Sequence, residues 1–260
     1  MDGSSPLVAK LSHLMPLSDE DVRILDALCL NEERFAANID IVHEDDLPRS
    51  AFVLTHGMAL RYRLTPDGKR QILTFMIPGD IFGLQAFLLT AMDHSIATLV
   101  PTRVATILRD TVFDLFDNHP RIGAALWWAA LQEEAILRER IVALGRRSSR
   151  GRVAYLLCEL VWRQIAVGLA EDHAIRLPLT QVELADVLGL TSVHMNRTLQ
   201  GFRRDNLITF AHHRLTLLDV ERLQEFAGFN QNYLHLGSAP TEARSYIDMR
   251  QREHESREGH

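Results

Sequence analysis

The chain contains 260 residues, of which 47% are hydrophobic, and carries a formal net charge of −6. This length allows one or two domains that each bury a core of their own. The sequence has no run of about 18 apolar residues and no basic start followed by an apolar stretch, so we expect neither a membrane span nor a secretion signal. Its two cysteines, Cys29 and Cys158, predict a reduced, cytoplasmic protein without disulfides.

The charge is unevenly distributed along the chain. Residues 1–145 contain 13 basic and 20 acidic side chains, residues 146–218 contain 10 and 6, and residues 219–260 contain 5 and 8. The middle segment therefore carries +4, whereas its flanks carry −7 and −3. A local excess of positive charge indicates a nucleic-acid partner for residues 146–218.

The N-terminal segment, residues 1–30, is predicted to be helical. Ser18 can cap a helix over residues 17–28, and three acidic residues follow it in the first turn, where they favour the helix dipole. Val22, Leu25 and Leu28 then lie on one face.

Residues 31–113 alternate short apolar runs with turns. Pro66 and Asp67-Gly68 separate two such runs, which is typical of a β-hairpin. Many short strands at regular spacing predict a β-sandwich or jelly-roll barrel. The run Ile81–Leu88 interrupts the strands and predicts a short helix.

Residues 114–145 follow helical spacing with two apolar stripes. The first stripe has the spacing of a coiled-coil seam and consists of Trp127, Ala130, Leu137, Ile141 and Leu144, with Glu134 between them. The second consists of Ile122, Ala125, Ala129, Ile136 and Ala143. We expect one face to cover the β-domain and the other to form a homodimer, although a helix buried within one chain remains open.

A glycine-, serine- and arginine-rich stretch, Gly145–Arg152, predicts a hinge, and an amphipathic helix that contains Cys158 follows it. Thr180 and Glu183 then form a capping box at the start of the next helix. Gly189 permits a left-handed turn, and Thr191 caps a second helix.

The segment LITFAHHRLTLLD predicts a two-stranded wing with its turn at His212 and His213. Two helices joined by a tight glycine turn form the helix-turn-helix of DNA-binding proteins, and a packed helical hairpin without a ligand is the alternative. Residues 146–220 are therefore predicted to be a winged helix-turn-helix domain. Residues 221–260 contain a further helix and a polar tail, from Gly237 onward, that we expect to be disordered.

These motifs resemble those of the Crp/Fnr superfamily of bacterial transcription regulators. The stretch LTQVELADVLGLTSVHMNRTLQGFRRDNLI is similar to the helix-turn-helix of that family, and LTFMIPGDIFG resembles its β-roll segment that ends in Pro-Gly-Asp. The resemblance covers roughly residues 10–225. It implies an α+β fold with an N-terminal β-roll (a jelly-roll of the cyclic-nucleotide-binding type), a long dimerisation helix and a C-terminal winged helix-turn-helix.

The resemblance implies a regulator that binds pseudo-palindromic promoter DNA as a homodimer, with double-stranded DNA and RNA polymerase as partners. The residues expected to read bases are Ser192, Val193, His194, Asn196 and Arg197. Those expected to contact phosphates are Thr180, Gln181, Thr191, Arg203, His212 and His213. Arg197 matches the arginine of the family, whereas Ser192 and Val193 depart from the Arg-Glu pair of the cAMP receptor, which predicts a different target sequence.

The effector pocket implied by the resemblance maps to Gly83, Leu84, His94 and Ser95. In cAMP-binding members a glutamate holds the ribose and an arginine holds the cyclic phosphate. Leu84 and His94 stand at those positions here, so we expect no binding of cAMP. Two cysteines are too few for an iron–sulfur cluster held by four thiolates. Haem remains open, because candidates such as His43, His56 and His94 have no distinctive spacing.

Two rival functions differ in class from a DNA-binding regulator. One is an enzyme on a jelly-roll, such as a cupin-type metal oxygenase, for which the sequence lacks a His-x-His motif. The other is a small-molecule-binding module whose helical C-terminus docks proteins. We expect a non-enzyme without a metal site.

Overall fold

A computed structural model describes residues 4–47, 49–84, 88–237 and 239–258. The described helices are α1 (Pro6–Leu11), α2 (Asp19–Leu28), α3 (Arg109–Asn118), α4 (Pro120–Arg146), α5 (Ser149–Ala166), α6 (Gln181–Leu188), α7 (Ser192–Arg204), α8 (Val220–Ala227) and α9 (Thr241–Glu258). The described strands are β1 (Glu32–Phe35), β2 (Asp40–Val42), β3 (Ser50–His56), β4 (Ala59–Leu64), β5 (Arg70–Met76), β6 (Ile81–Phe82), β7 (Ser95–Thr98), β8 (Thr102–Leu108), β9 (Ala170–Glu171), β10 (Ala174–Arg176), β11 (Ile208–Ala211) and β12 (Arg214–Leu217).

Two four-stranded antiparallel sheets form the N-terminal β-roll, in the orders β1-β8-β3-β6 and β2-β7-β4-β5. A small apolar cluster that includes Leu54, Phe82, Ile96 and Val104 contains residues from both sheets, as expected of a sandwich core. The predicted hairpin at Asp67-Gly68 joins β4 to β5, and Gly68 has the positive φ, 78°, that the turn requires. Ile81 and Phe82 of the predicted short helix form β6, and its residues 85–87 lie outside the described residues.

The helical segment before the β-roll begins earlier than its sequence pattern indicates. Helix α2 has the expected cap at Ser18, which also forms a capping box with Asp21, but α1 precedes it, capped by Ser5. Both helices join an apolar cluster with one sheet of the β-roll and the first turns of α4. A six-residue helix carries too few periods of apolar residues to be recognised from sequence.

The long helix is shorter at its N-terminal end than residues 114–145 predict. Helix α3 ends at Asn118 and α4 begins at Pro120, because proline lacks an amide hydrogen and favours the first position of a helix. Helix α4 then runs for 27 residues. Its second stripe, which includes Ile122, Ala129 and Ile136, is buried as expected.

The hinge is narrower than the stretch Gly145–Arg152. Only Arg147 and Ser148 separate α4 from α5, and Ser148 caps α5 by accepting a hydrogen bond from the amide of Gly151. Helix α5 is buried on nearly all sides rather than amphipathic, because it packs between the β-roll, α4 and α8. One apolar cluster therefore continues from the sheet β2-β7-β4-β5 into the C-terminal domain.

The polar tail forms a helix, so the prediction of disorder from Gly237 is wrong for residues 241–258. Helix α9 packs against α4, where Arg121 pairs with Asp248 at 3.1 Å and Ile247 joins the apolar cluster around α1 and α2. Between α8 and α9, the 3-10 helix Gln231–Leu234 lies against α4 and α5. Contacts with residues that are distant in sequence stabilise this segment, and its own composition does not reveal those contacts.

Candidate nucleic-acid interface

The C-terminal domain presents one helix of its helix-turn-helix to solvent. Thr180 and Glu183 form the predicted capping box of α6, and Gly189 ends that helix in the left-handed region with φ of 60°. Thr191 then caps α7, accepting a hydrogen bond of 3.2 Å from the amide of His194. Met195, Leu199 and Phe202 bury one face of α7, which leaves the opposite face exposed.

The exposed face of α7 forms a shallow concavity with a volume of about 400 Å³. The side chains that line it are Gln181, Ser192, Val193, Asn196, Arg197 and Gln200. The predicted base-reading residues therefore lie together on one surface, with His194 exposed beside them. Gln200 was missed by the sequence reasoning, although its spacing of three and four from Arg197 and Asn196 places it on the same helical face.

Two side chains of this surface differ in their hydrogen bonding. The amide of Asn196 donates to the side-chain oxygen of Gln181 at 2.8 Å, which joins α6 to α7. The guanidinium of Arg197 has no hydrogen bond or ion pair to any described residue. It is thus free to form the bidentate contacts that arginine makes with guanine in a major groove.

The predicted phosphate-contacting residues lie around this concavity or in the wing, but the side chain of Arg203 is engaged within the domain. His212 and His213 form the tip of the β11–β12 hairpin with φ of 50° and 58°, which are the values of a type I′ turn. Arg203, however, donates to the carbonyl oxygen of Phe210 at 2.7 Å and so anchors the wing to α7. The hydroxyl of Thr180 donates a hydrogen bond to the carboxylate of Glu183 at 2.9 Å.

The exposed stripe of α4 is apolar. The side chains of Trp127 and Ile141 are 66% and 71% exposed, and Ala130 is exposed beside them. Leu137 and Leu144 are half-buried. Leu144 differs from a pure seam position because its Cδ2 atom lies next to Gly189, so the end of α4 faces the turn of the helix-turn-helix.

The residues aligned with the effector pocket occupy two places in the β-roll. Gly83 lies against the backbone of β3, and Leu84 packs on the apolar cluster that also contains α1 and α2. His94 is buried, and its Nδ1 atom lies 2.6 Å from the carboxylate of Asp93. The hydroxyl of Ser95 accepts a hydrogen bond from the amide of Glu44.

These groups do not fit a cyclic nucleotide as the family holds it. Burial, and then the neighbouring Arg61 guanidinium, lower the pKa of His94, although Asp93 opposes this. This lowered pKa favours the neutral imidazole, which, unlike an arginine, gives a cyclic phosphate no permanent charge. Arg61 itself forms an ion pair with Glu133 of α4.

Both cysteines are held as thiols. Burial raises the pKa of Cys29 to about 11 and that of Cys158 to about 12. A thiolate is the reactive form, so neither side chain has the low pKa of a redox sensor. Among the described residues, no group of three or more histidine, cysteine, aspartate or glutamate side chains is arranged to hold a metal ion. Within the same residues, no helix has the length and apolar composition needed to cross a bilayer.

A β-roll, a long helix with an exposed apolar stripe and a winged helix-turn-helix together define a DNA-binding regulator of transcription. Residues 32–119 match the model of the cyclic nucleotide-binding domain, and residues 151–226 match that of the Crp-like helix-turn-helix domain. The chain belongs to the Crp/Fnr family of transcription regulators, which confirms the predicted family, fold class and regulatory function.

Among similar proteins, the nitrogen fixation regulation protein FixK of Bradyrhizobium diazoefficiens is 29% identical over 74% of this chain and 80% of its own length. The transcriptional activator protein FnrL of Cereibacter sphaeroides is 30% identical over 71% of this chain and 75% of its own. The solved structure of FixK2 from Bradyrhizobium japonicum has a TM-score of 0.70 at 24% identity, and the match covers 77% of this chain and 98% of that one. It confirms the fold.

Proposed function

We propose that this chain binds pseudo-palindromic promoter DNA as a homodimer. Each subunit inserts α7 into a major groove, where Arg197 reads a guanine and Ser192, Val193, His194, Asn196 and Gln200 complete the base-reading surface. The single observation that carries the proposal is the exposed face of α7, on which the guanidinium of Arg197 is free of partners among the described residues. Base contacts of this kind specify sequence.

Phosphate contacts fix the position of the domain on the duplex. The exposed N-terminal turns of α6 and α7, near Thr180 and Thr191, and the wing tip at His212 and His213 are suited to this role, because helix N-termini attract anions. The exposed stripe of α4 around Trp127 and Ile141 forms the dimer seam, since large exposed apolar side chains on one stripe mark an interaction surface.

The regulator acts without cAMP or an iron–sulfur cluster, and the bound promoter complex recruits RNA polymerase. His94 and Leu84 stand where cAMP-binding members hold the phosphate and the ribose, and the pKa of His94 is lowered, which supports regulation without cAMP. Isothermal titration with cAMP tests it directly. The expected result is no heat of binding, and saturable binding of one cAMP per subunit contradicts it.

The proposal is tested by fluorescence anisotropy with selected operator DNA and with duplexes that differ at single base pairs. Arg197→Ala should lower the affinity for the operator by about 10- to 100-fold and relax discrimination at one base pair per half-site. Arg204→Ala is the matched control, because Arg204 is an exposed arginine on the same helix that does not line the concavity. It should leave the ratio of affinities unchanged.

The salt dependence of the same binding distinguishes DNA recognition from docking of proteins. Affinity for the operator should fall steeply as salt rises, because phosphate contacts release counterions. Full discrimination by Arg197→Ala, or no binding to any duplex at low salt, would contradict the proposed function.

A further inference from the structure

A cleft separates the β-roll from the start of the C-terminal domain. Its volume is about 670 Å³, which lies within the range of small-molecule sites. One wall comes from β1 and the turns next to β4 and β8, and the other comes from the end of α5 and from residues 169–178. None of Gly83, Leu84, His94 and Ser95 lines this cleft, so it is separate from the aligned effector pocket.

Three basic side chains lie in one row across the sheet at this cleft. Arg34 of β1 is directly opposite Arg103 of β8, and Arg103 is also in register with His56 of β3. All three line the cleft, and Arg176 lines it from the C-terminal domain. Like charges that face each other on neighbouring strands destabilise a sheet unless an opposite charge lies between them.

The structure supplies little compensation for this positive charge. Arg103 pairs with Glu32 at 3.3 Å, but Glu32 is not part of the cleft wall. The side chains of Arg34, His56 and Arg176 have no hydrogen bond or ion pair with other described residues. No carboxylate belongs to the described lining of the cleft. The cleft therefore has the charge of an anion site, because the three arginines of its lining carry permanent positive charges.

Much of the cleft lining is apolar. It includes Phe35, Met58, Ile77, Val100 and Leu169. Hydroxyl and amide groups of Thr55, Thr102 and Gln164 are the other polar groups of the lining. Apolar walls with a few convergent polar groups are typical of sites for organic ligands rather than bare ions. Forked guanidinium groups bind phosphate and carboxylate oxygens in pairs.

We propose that this cleft binds a small organic phosphate, with the phosphate between Arg34, Arg103 and Arg176 and the organic body against the apolar part of the lining. The ligand contacts the β-roll through Arg34 and Arg103 and the C-terminal domain through Arg176. Its binding therefore stabilises one arrangement of the two domains. An effect on operator affinity follows only if the proposed function holds, whereas binding itself does not depend on DNA.

Isothermal titration of the full chain with phenyl phosphate tests the proposal. We expect one saturable site per subunit, weaker binding of inorganic phosphate, which lacks the apolar body, and no binding of phenol, which lacks the charge. Arg34→Gln and Arg176→Gln should each weaken phenyl phosphate by about tenfold, since hydrogen bonds to charged groups contribute free energies of that size. Both residues are exposed, so the variants should fold, and circular dichroism checks this.

Arg23→Gln is the matched control, because Arg23 is an exposed arginine of α2 outside the cleft. Its affinity for phenyl phosphate should equal that of the unmodified protein. The proposal is overturned if phenyl phosphate does not bind at millimolar concentration, or if all three variants lose affinity equally. It is also overturned if Arg34→Gln and Arg176→Gln weaken only the binding of a non-operator duplex, because the cleft would then contact DNA. Failure of operator binding alone leaves the titration result intact and refutes only the proposed function.

Discussion

Replacement of Asp80 by asparagine should destabilise the whole chain. Asp80 is 7% exposed, and its carboxylate accepts hydrogen bonds from Lys10 at 2.6 Å, Arg163 at 2.8 Å and the amide of Ile77 at 2.9 Å. Lys10 belongs to α1 and Arg163 to α5, so one carboxylate joins the N-terminal helix, the β-roll and the C-terminal domain. Asp80→Asn leaves buried Arg163 and half-buried Lys10 without their main counter-charge.

The magnitude follows from these contacts. Removing one partner of a buried ion pair costs about 3–5 kcal/mol. In the variant, Arg163 still forms an ion pair with Glu159 at 3.5 Å, and Lys10 is partly exposed to water. We therefore expect a loss of stability at the lower end of this range, about 3 kcal/mol. With a urea dependence of about 3 kcal/mol per molar, the unfolding midpoint should fall by about 1 M. Asp67→Asn, in an exposed hairpin, is the control and should leave the midpoint unchanged.

The contribution of the Asp80 carboxylate to the free energy of unfolding should depend on pH. Burial alone raises the pKa of Asp80, but Lys10 and Arg163 outweigh it and hold the pKa of this carboxyl below its ordinary value. A carboxyl whose folded pKa is depressed stabilises the fold above its unfolded pKa, about 3.9, and loses this contribution as pH falls through the folded value. The difference in stability between the unmodified protein and Asp80→Asn should therefore be constant near neutral pH and shrink below about pH 4.

Equilibrium unfolding in urea, followed by circular dichroism, measures both effects. A double-mutant cycle with Arg163→Met isolates the interaction between the two side chains. Equal stabilities of the unmodified protein and Asp80→Asn, or strictly additive effects of the two substitutions, would refute the reasoning.

Three further predictions concern the dimer, the 3-10 helix and the turn of the helix-turn-helix. Ile141→Glu should convert a dimer to a monomer in sedimentation velocity without lowering the melting temperature of the subunit, because Ile141 is exposed in the single chain; a dimer that persists contradicts the seam. Tyr233→Phe removes the hydroxyl that donates to buried Glu159 at 3.2 Å and should cost about 1–3 kcal/mol in urea unfolding, and an unchanged midpoint would show that this contact between the 3-10 helix and α5 does not stabilise the fold. Gly189→Ala forces a Cβ into a φ of 60° and should destabilise by about 1 kcal/mol; a stability equal to that of the unmodified protein would mean that the turn relaxes.

Local signals in the sequence were sufficient for the helix-turn-helix. The capping box at Thr180, the left-handed Gly189 and the cap at Thr191 each depend on residues within a few positions of one another. The hairpin turn at His212 and His213 is likewise a local feature that could be recognised from neighbouring residues. Because the exposed face of α7 follows from helical spacing, most of the side chains on that face could also be predicted.

Long-range contacts could not be predicted in the same way. Asp80 and Arg163 are 83 positions apart, and nothing near either residue indicates that they form an ion pair. Helix α9 is polar along its length, so its stability derives from contacts with α4 that composition does not encode. The opposition of Arg34 and Arg103 depends on strand register, which only the folded sheets define.

Selection of bound sequences from genomic DNA by the purified protein tests the central claim most directly. Two α7 helices on a twofold dimer predict an inverted repeat whose half-sites are about 10 base pairs, or about 34 Å, apart from centre to centre. The enriched motif should also lose one fixed base pair in each half-site when Arg197→Ala is used. A motif with a single half-site, or no enrichment over random DNA, would contradict a homodimer that reads DNA through α7.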